Sequence, residues 1–343
     1  MPPSSAPQDA NCAPSVHDQS KTPSAQPSDS SSKSQDTMNS SSASSSASGP
    51  THPPELAPTV DLVHHVLLPV GQPDEPYVDI DAHNKRLCGL FEFSIQQLDF
   101  STGQVLDKEG RPSQADMYFR PVSPQKMQAW LDESKPFNHR YDFDAIDCGY
   151  TREHRAQLAG DSFAHTIDTH VQDSADASNR GAMPTHTTWA SVGTPRVKLL
   201  FRVNGVSDWR IHFVYRQFPE PIKCVTRRDK ANPEKPHVVI SLSEGARLKD
   251  GILCTSELTT LLYYVADSSV SAVEKRHVIY PAMVVTASCD TVRLTQAIWN
   301  VKTGQIEIRM SPILEFPNGL WKNKTQYLSL LGWVLSDPIG KTK

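Results

Sequence analysis

Three side chains in the C-terminal part of the chain have types and spacing that suit phosphoryl chemistry. Asp290 precedes an apolar run that begins at Val292, and Glu307 and Arg309 alternate along the next run. Two carboxylates can hold Mg²⁺, and a cation beside them can orient water or stabilise the charge on a phosphate. These three residues are therefore candidate catalytic residues, with Mg²⁺ as the cofactor that they imply.

The arrangement resembles the D…(D/E)xK motif of the restriction-endonuclease-like nucleases, over some 40 residues. The resemblance implies a Mg²⁺-dependent nuclease fold, or a degenerate form of one. Arg309 stands where Lys is usual, and no acidic residue directly follows Pro281. Because Arg stays protonated, it could clamp a phosphate but could not act as a base. The alternative is a Glu-Ile-Arg segment on the solvent face of a hairpin, where charged residues are ordinary.

A second candidate site is the connection 219–236, which is rich in Pro, Lys and Arg. Arg227 and Arg228 are its candidate anion-binding residues, and a nucleic-acid-binding module without catalysis is the corresponding function. Acidic residues reduce the net charge of this connection to +2, so an exposed, solvated loop is the favoured interpretation.

The segment His165-x-x-Asp168-x-His170 has the residue types of a metal site. It lies in a polar region with little that could fix the imidazole rings, so we interpret it as a solvated loop and predict no metal site there. Walker A, GxGxxG, HExxH and GxSxG motifs are absent from the sequence.

The elements that would position the first site form an α+β core. Residues 281–288 include apolar side chains at both odd and even positions, which predicts a strand covered on both faces. Strands at 292–300 and 305–310 follow, joined through a Gly-containing turn, and helices are predicted at 258–265 and 322–336. We expect a mostly antiparallel, mixed sheet with helices packed on it.

The sequence pattern of residues 196–218 predicts a β-hairpin in this core. A three-residue loop ending at Gly205 pairs apolar side chains with each other, for example Leu199 with Trp209, and places Gly205 where a positive φ is needed.

Composition divides the chain into four parts. Residues 1–58 form a Ser/Pro-rich tail, and the 17 Ser among the first 50 positions predict a long disordered segment that cannot bury a core. Residues 59–131 form an acidic, β-containing front module that docks on the core or shares its sheet. Residues 132–195 are predicted to form an irregular linker, and residues 196–337 are predicted to form the α+β core domain.

The front module and the linker also carry local signals. Strand-like runs occur at 87–93 and 95–100, followed by a turn at 101–104. Ser123 and Pro124 are preferred residues for a helix N-cap and first position, and a short helix is predicted near 152–158. The turn also provides an internal echo, because Asp-Phe-Ser-Thr-Gly-Gln-Val at 99–105 resembles Asn-Val-Lys-Thr-Gly-Gln-Ile at 300–306. Good turn chemistry explains this echo better than a duplication does.

The net charge of −4 conceals an asymmetry along the chain. Residues 1–195 carry 13 Lys and Arg against 25 Asp and Glu, a net −12, whereas residues 196–343 carry 21 against 13, a net +8. The favoured interpretation is two surfaces of one protein that face each other, and the alternative is a basic part that meets an anion.

Cysteine spacing and hydropathy bear on the compartment. The six cysteines lie 30 or more residues apart, without zinc-site spacing, which favours reduced thiols in an intracellular protein. No run reaches the length of a transmembrane span and no signal peptide is evident. We expect a cytoplasmic or nuclear, non-catalytic binding module, with a protein as its partner, nucleic acid as the alternative, and no membrane association.

Overall fold

A mixed sheet of nine strands forms the middle layer of the computed structural model. The structure describes residues 56–70, 75–87, 89–133, 152–171, 187–192, 209–220, 230–271, 276–317 and 320–343. The strands in these residues are β1 (Glu92–Leu98), β2 (Val105–Leu106), β3 (Phe119–Arg120), β4 (Trp189–Ser191), β5 (Trp209–Gln217), β6 (Val238–Glu244), β7 (Ile279–Ser288), β8 (Thr291–Asn300), β9 (Gln305–Met310), β10 (Leu314–Glu315) and β11 (Asp337–Pro338). The order across the large sheet is β2-β1-β9-β8-β7-β6-β5-β4, with β10 beside β8, while β3 and β11 form a separate ribbon.

Helices cover both faces of this sheet. The first, α1, runs from Ala57–Asp61 directly through the π-helical Leu62–Leu67 to Leu68–Val70. The others are α2 (Ile80–Leu87), α3 (Pro124–Asp132), α4 (Arg152–Val171), α5 (Thr255–Ser271) and α6 (Lys324–Val334). One apolar core lies between the sheet and α1, α2 and α5, and a second lies between the opposite face and α3, α4 and α6. The described residues belong to one compact unit, Thr51–Lys343.

The strand predicted at 281–288 is the centre of the sheet. It is β7, which pairs in parallel with β6 and antiparallel with β8. Its Val284 belongs to one apolar core and its Val285 to the other, and both side chains are buried. Alternate side chains of a strand point to opposite faces, so a strand with helices on both sides carries apolar residues on both faces. The α+β fold with a mostly antiparallel, mixed sheet is confirmed.

The two Thr-Gly-Gln segments adopt the same turn between antiparallel strands. In the first, Gly103 donates its N–H to the Asp99 carbonyl at 2.8 Å, and in the second, Gly304 donates to the Asn300 carbonyl at 2.9 Å. Both glycines have positive φ, 78° and 70°. The Asp or Asn side chain accepts backbone N–H groups two residues on in both turns. Shared turn chemistry therefore accounts for the echo.

One strand, β1, lies in the region where strands are predicted at 87–93 and 95–100. Residue Leu87 ends α2 instead of beginning a strand, and β1 starts at Glu92 after a turn through Gly89. The predicted cap is confirmed, because the Ser123 hydroxyl accepts the Lys126 N–H and Pro124 opens α3. From this front part, β1 and β2 belong to the large sheet, where β1 pairs in parallel with β9.

Helix α4 is longer than the short helix predicted near 152–158. It runs for 20 residues and packs on the sheet through Phe163, Ile167 and Val171, which are spaced four apart and buried. The small and polar residues between them make this apolar stripe difficult to recognise in the sequence.

The predicted first strand of the 196–218 hairpin, its turn and the tail at 1–55 lie outside the described residues. The four-part domain division stays a prediction.

Substituting Ala for Gly332 on α6 is expected to destabilise the protein by about 2 kcal/mol. A Cβ at this position would lie 2.1 Å from the Val122 carbonyl oxygen, and the Val122 N–H donates to the Gly332 carbonyl at 2.9 Å. Because that oxygen belongs to the backbone, it cannot rotate away. The clash outweighs the roughly 1 kcal/mol that Ala gains over Gly in a helix.

Urea unfolding of Gly332→Ala checks this expectation, with Thr325→Ala on the exposed side of the same helix as the matched control. An unchanged or higher midpoint for Gly332→Ala would show that α6 does not approach Val122 this closely.

Within the described residues, no helix has both the length and the apolar character needed to cross a membrane.

Candidate functional site

The three candidate nuclease residues lie in two separate places. The β8–β9 register sets Glu307 opposite Ile298 and Arg309 opposite Gln296. Asp290 lies in the turn before β8, six residues ahead of Gln296, which corresponds to about 20 Å along a strand. The structure therefore brings Glu307 and Arg309 together and leaves Asp290 apart from them.

Arg309 is a buried cation that holds two parts of the chain together. Its side chain is 2% exposed and paired with Glu307, whose Oε2 lies 3.1 Å from Nε. It also donates to the Asp116 carbonyl at 2.7 Å and lies over the Tyr118 ring, 5.6 Å from its centre. Because β1 pairs with the outer side of β9, this pair does not lie on an open hairpin edge. Its contacts support a structural role.

The candidate anion-binding residues Arg227 and Arg228 lie outside the described residues, so their role stays a prediction. The described end of the same connection contacts the C-terminal segment, where Lys235 Nζ donates to the Pro338 carbonyl at 3.1 Å.

His165, Asp168 and His170 all lie on α4, and each has a different partner. The partners are the His212 ring for His165, with 5.7 Å between ring centres, the Tyr215 hydroxyl at 3.0 Å for Asp168, and the Tyr327 hydroxyl at 2.6 Å for His170. They therefore do not converge on one point. Among all described residues, no group of three or more His, Cys, Asp or Glu is arranged to hold a metal ion.

A Ser, a His and an Asp do meet where α4 crosses β5 and β6. The Asp161 Oδ1 atom lies 2.8 Å from His212 Nε2 and accepts the Ser243 hydroxyl at 2.8 Å, and Ser243 Oγ lies 2.9 Å from the same His212 nitrogen. Arg210 donates to the other oxygen of Asp161 at 3.1 Å. Burial alone would raise the pKa of Asp161, but the His212 and Ser243 hydrogen bonds and the nearby charges hold it below its ordinary value.

The geometry of this cluster does not suit nucleophilic catalysis. In a serine hydrolase, one imidazole nitrogen contacts the serine and the other contacts the carboxylate. Here Nε2 of His212 contacts both groups, so the ring cannot relay a proton between them. Ser243 is also fully buried, and a Cβ on Gly160 of α4 would lie 2.7 Å from its Cβ, which leaves no room for a substrate. The cluster fastens α4 to the sheet.

A second ionic cluster lies at the start of α5, on the opposite face of the sheet. Glu257 and Arg293 form an ion pair whose side chains are both 0% exposed. The Arg293 guanidinium also donates to the backbone carbonyls of Lys249 and Ile252, at 2.8 and 2.9 Å. Burial lowers the pKa of the guanidinium, but the Glu257 charge more than offsets this and raises it. The buried pair thereby fixes the loop between β6 and α5.

The Glu257 carboxylate is also held from the helix and the sheet. It accepts the Cys254 N–H at 2.9 Å, which satisfies a free backbone donor at the start of α5, and the Thr295 hydroxyl at 3.1 Å. Glu257 lies in the first turn of this helix, which begins at Thr255.

Glu244 adds a second carboxylate to this cluster. It is fully buried, accepts the Ala246 N–H at 2.8 Å and is hydrogen-bonded to the Ser256 hydroxyl. Burial and the neighbouring Glu257 raise the pKa of Glu244 to about 7, despite the hydrogen bonds that oppose the shift. Glu257 is therefore paired with Arg293, whereas the raised pKa leaves Glu244 partly protonated near pH 7.

An open, concave site is lined in part by the loop that Arg293 anchors. It is a groove of 490 Å³ at the carboxyl ends of β1 and β9, a volume in the usual range for ligand sites. Its lining combines apolar and polar residues from three segments: Ile95, Gln96, Gln97, Asp250, Gly251, Met310, Ser311 and Pro312. The loop is tied to the segment after β9, where Asp250 Oδ1 accepts the Ile313 N–H at 3.2 Å.

The outer edge of β1, the side that faces away from β9, is mostly occupied. The Asn84 side chain accepts the Phe93 N–H at 2.8 Å and donates to the Phe93 carbonyl at 2.9 Å. Gln97 pairs with Leu106 of β2. Since backbone groups alternate between the two sides of a strand, Ile95 between them directs its N–H and C=O outward, where no described strand pairs with it. The Ile95 side chain is 41% exposed.

The groove could not be predicted from the sequence. The strand predicted at 95–100 includes Ile95, but its outward edge depends on β1 pairing with β9, more than 200 residues later. Asp250-Gly251 is a typical turn dipeptide, which would have located the loop without indicating what it faces.

Comparison of the chain with protein-family models, with curated proteins and with solved structures finds no match.

Proposed function

We propose that this chain is a non-catalytic interaction module, in which the groove beside β1 receives an extended segment of a partner protein. The observation that carries the proposal is that Ile95, a lining residue of the groove, directs one backbone donor and one acceptor to the outer edge of β1. Extended peptides bind sheet edges through such groups, and side-chain pockets beside the edge give specificity.

The polar clusters of the described residues support binding over catalysis. Asp161, His212 and Ser243 bond to one another, Glu257 bonds to Arg293, and the cation of Arg309 pairs with Glu307. Each of these clusters is used to join elements of the fold, so none presents a reactive group to the groove. The acidic Asp250 at the groove also disfavours phosphate, and hence nucleic acid, as the ligand there.

In this proposal the module works in the cytosol or nucleus. Cys254 is a buried free thiol, as expected of a protein in a reducing compartment.

Selection of a random display library of short peptides on the full-length protein tests the proposal. We expect a recovered pool that binds the wild type and binds Ile95→Pro roughly two- to tenfold more weakly, because proline removes the outward donor without breaking a bond to β9. Ile95→Thr is the matched control, since it keeps the N–H and a β-branched side chain, and we expect it to bind close to the wild type.

Ile95→Lys is a second test variant, in case the proline variant binds weakly only because it is misfolded. It keeps the strand backbone and places a charge at the edge, so binding should fall while the thermal midpoint stays near that of the wild type. No recovered pool, or a pool that binds all four proteins equally, would refute the groove as the binding site.

A further inference from the structure

We infer that the loop between β6 and α5, residues 245–254, is a pH-sensitive latch on the groove. It is closed while the buried Glu244 carboxyl holds a proton and opens when that carboxyl ionises. Two of its residues, Asp250 and Gly251, line the groove, so opening removes one wall of the site. The latch is a property of this wall and does not depend on which ligand the groove receives.

The buried charges beneath the loop balance only while Glu244 is neutral. Arg293 of β8 is the cation of this cluster, and it is paired with Glu257 of α5. Glu244 is fully buried, and its hydrogen-bond partners are the Ala246 N–H and the Ser256 hydroxyl, which are uncharged. An ionised Glu244 would therefore be a second buried carboxylate, without a cation of its own. Such a charge is far more costly to bury than the neutral carboxyl.

The other neighbours of Glu244 do not supply the missing positive charge. Trp209 of β5 lies opposite it in the sheet, and Ser288 of β7 bonds to the backbone of the loop. The Cys254 thiol of the loop holds its proton, since burial and the two carboxylates raise its pKa. Burial and the charge of Glu257 raise the pKa of Glu244 itself to about 7. The Glu244 proton is therefore lost as the pH rises through neutrality.

The loop is the element around Glu244 that can open without dismantling the sheet or the helix. Glu244 itself lies in β6, which pairs with both β5 and β7. The loop is held by individual hydrogen bonds, such as those from Arg293 to the Lys249 and Ile252 carbonyls. Its charged residues are exposed: Arg247, Lys249 and Asp250. Segments held in this way open locally at a lower free energy than the whole fold, and this opening admits water to the Glu244 carboxylate.

Hydrogen exchange of the full-length protein from about pH 6 to pH 8.5, corrected for the intrinsic effect of pH on exchange, tests the latch. The amides of Ala246, Ile252 and Cys254 report on it, because each is hydrogen-bonded in the closed loop. Opening that changes the pKa of Glu244 from about 7 to its ordinary 4.5 becomes about tenfold more favourable over this range. We expect the protection of these amides to fall by that factor. At every pH it should be lower than the protection of amides in β7, which exchange by global unfolding.

Glu244→Gln should remove this pH dependence, because Gln keeps an acceptor for the Ala246 N–H and cannot ionise. Glu315→Gln, the same substitution at an exposed carboxylate, should keep the dependence of the wild type. Wild-type protection that is constant across this pH range, or equal to that of β7, overturns the latch even where Glu244→Gln fails to fold. A fall in protection that persists in folded Glu244→Gln overturns it as well.

Discussion

Replacing Arg293 with Met is expected to lower the free energy of unfolding by about 3–5 kcal/mol, because it leaves the Glu257 carboxylate buried without its cation. Neither side chain is exposed to solvent, so water cannot take the place of the lost partner. The substitution also removes the donors to the Lys249 and Ile252 carbonyls. Met fills a similar volume, so the loss reflects charge and hydrogen bonding more than an empty cavity. Urea unfolding at neutral pH measures the loss.

A double-mutant cycle with Glu257→Gln separates the ion pair from the rest of the environment. Gln still accepts the hydrogen bond from the Cys254 N–H but carries no charge, so Arg293→Met should cost clearly less in that background. Arg111→Met serves as the matched control, because its ion pairs with Asp107 and Glu109 lie at the surface, where substitution should hardly move the midpoint. Losses that simply add in the double mutant would show that Arg293 and Glu257 are not coupled.

The same substitution connects the buried pair to the groove. Arg293 holds the loop that carries Asp250 through its hydrogen bonds to Lys249 and Ile252. Arg293→Met should therefore weaken peptide binding even without urea, at a temperature where the protein remains folded. In this way a residue with no access to solvent positions the surface that we propose as the binding site.

The central strands could be predicted from the sequence because local pattern decides them. The run at 281–288 has apolar residues on both faces, and the strand at Gln305–Met310 has the bounds that its pattern predicted. The turn between β8 and β9 follows from Asn300 and Gly304, whose side-chain acceptor and positive φ are properties of those residue types. Alternation along β9 likewise placed Glu307 and Arg309 on one face.

The candidate site could be predicted only in part, because it depends on pairings between distant segments. The turn at 300–304 joins the end of β8 to the start of β9, so Asp290 must lie at the far end of β8 from Glu307. Nothing local relates Glu257 to Arg293, 36 residues away. The one available indication was Arg293 itself, a cation on the strand face that also carries Ala297 and Trp299. A buried cation needs a partner, but the sequence does not say which carboxylate supplies it.

The buried Glu244 is expected to make the protein less stable as the pH rises through neutrality. Its pKa is about 7 in the folded protein against an ordinary value of 4.5, so between these values the folded state holds a proton that the unfolded chain has released. Its contribution to stability is therefore fully present below pH 4.5 and is lost as the pH rises through 7. The total loss is on the order of 3 kcal/mol.

Other groups titrate over the same range, so the difference between the wild type and Glu244→Gln is the quantity to measure. Burial lowers the pKa of His237 to about 3, and this makes the folded state more stable as the pH rises towards 6.5, the opposite trend to that of Glu244. That contribution is common to both proteins and cancels in the difference. Cys254, Glu257 and Arg293 surround the site in both proteins, and burial and the nearby carboxylates raise the pKa of Cys254 far above this range.

Gln in place of Glu244 reproduces the protonated carboxyl, since it can accept the Ala246 N–H and donate to the Ser256 hydroxyl. Urea unfolding of the two proteins should therefore give similar stabilities near pH 5 and a growing advantage for Glu244→Gln up to pH 8. Parallel curves across this range would mean that Glu244 is ionised in the folded protein at all of these pH values. In that case Arg293 would have to neutralise two carboxylates, and removing Arg293 should then cost more than the ion pair with Glu257 alone predicts.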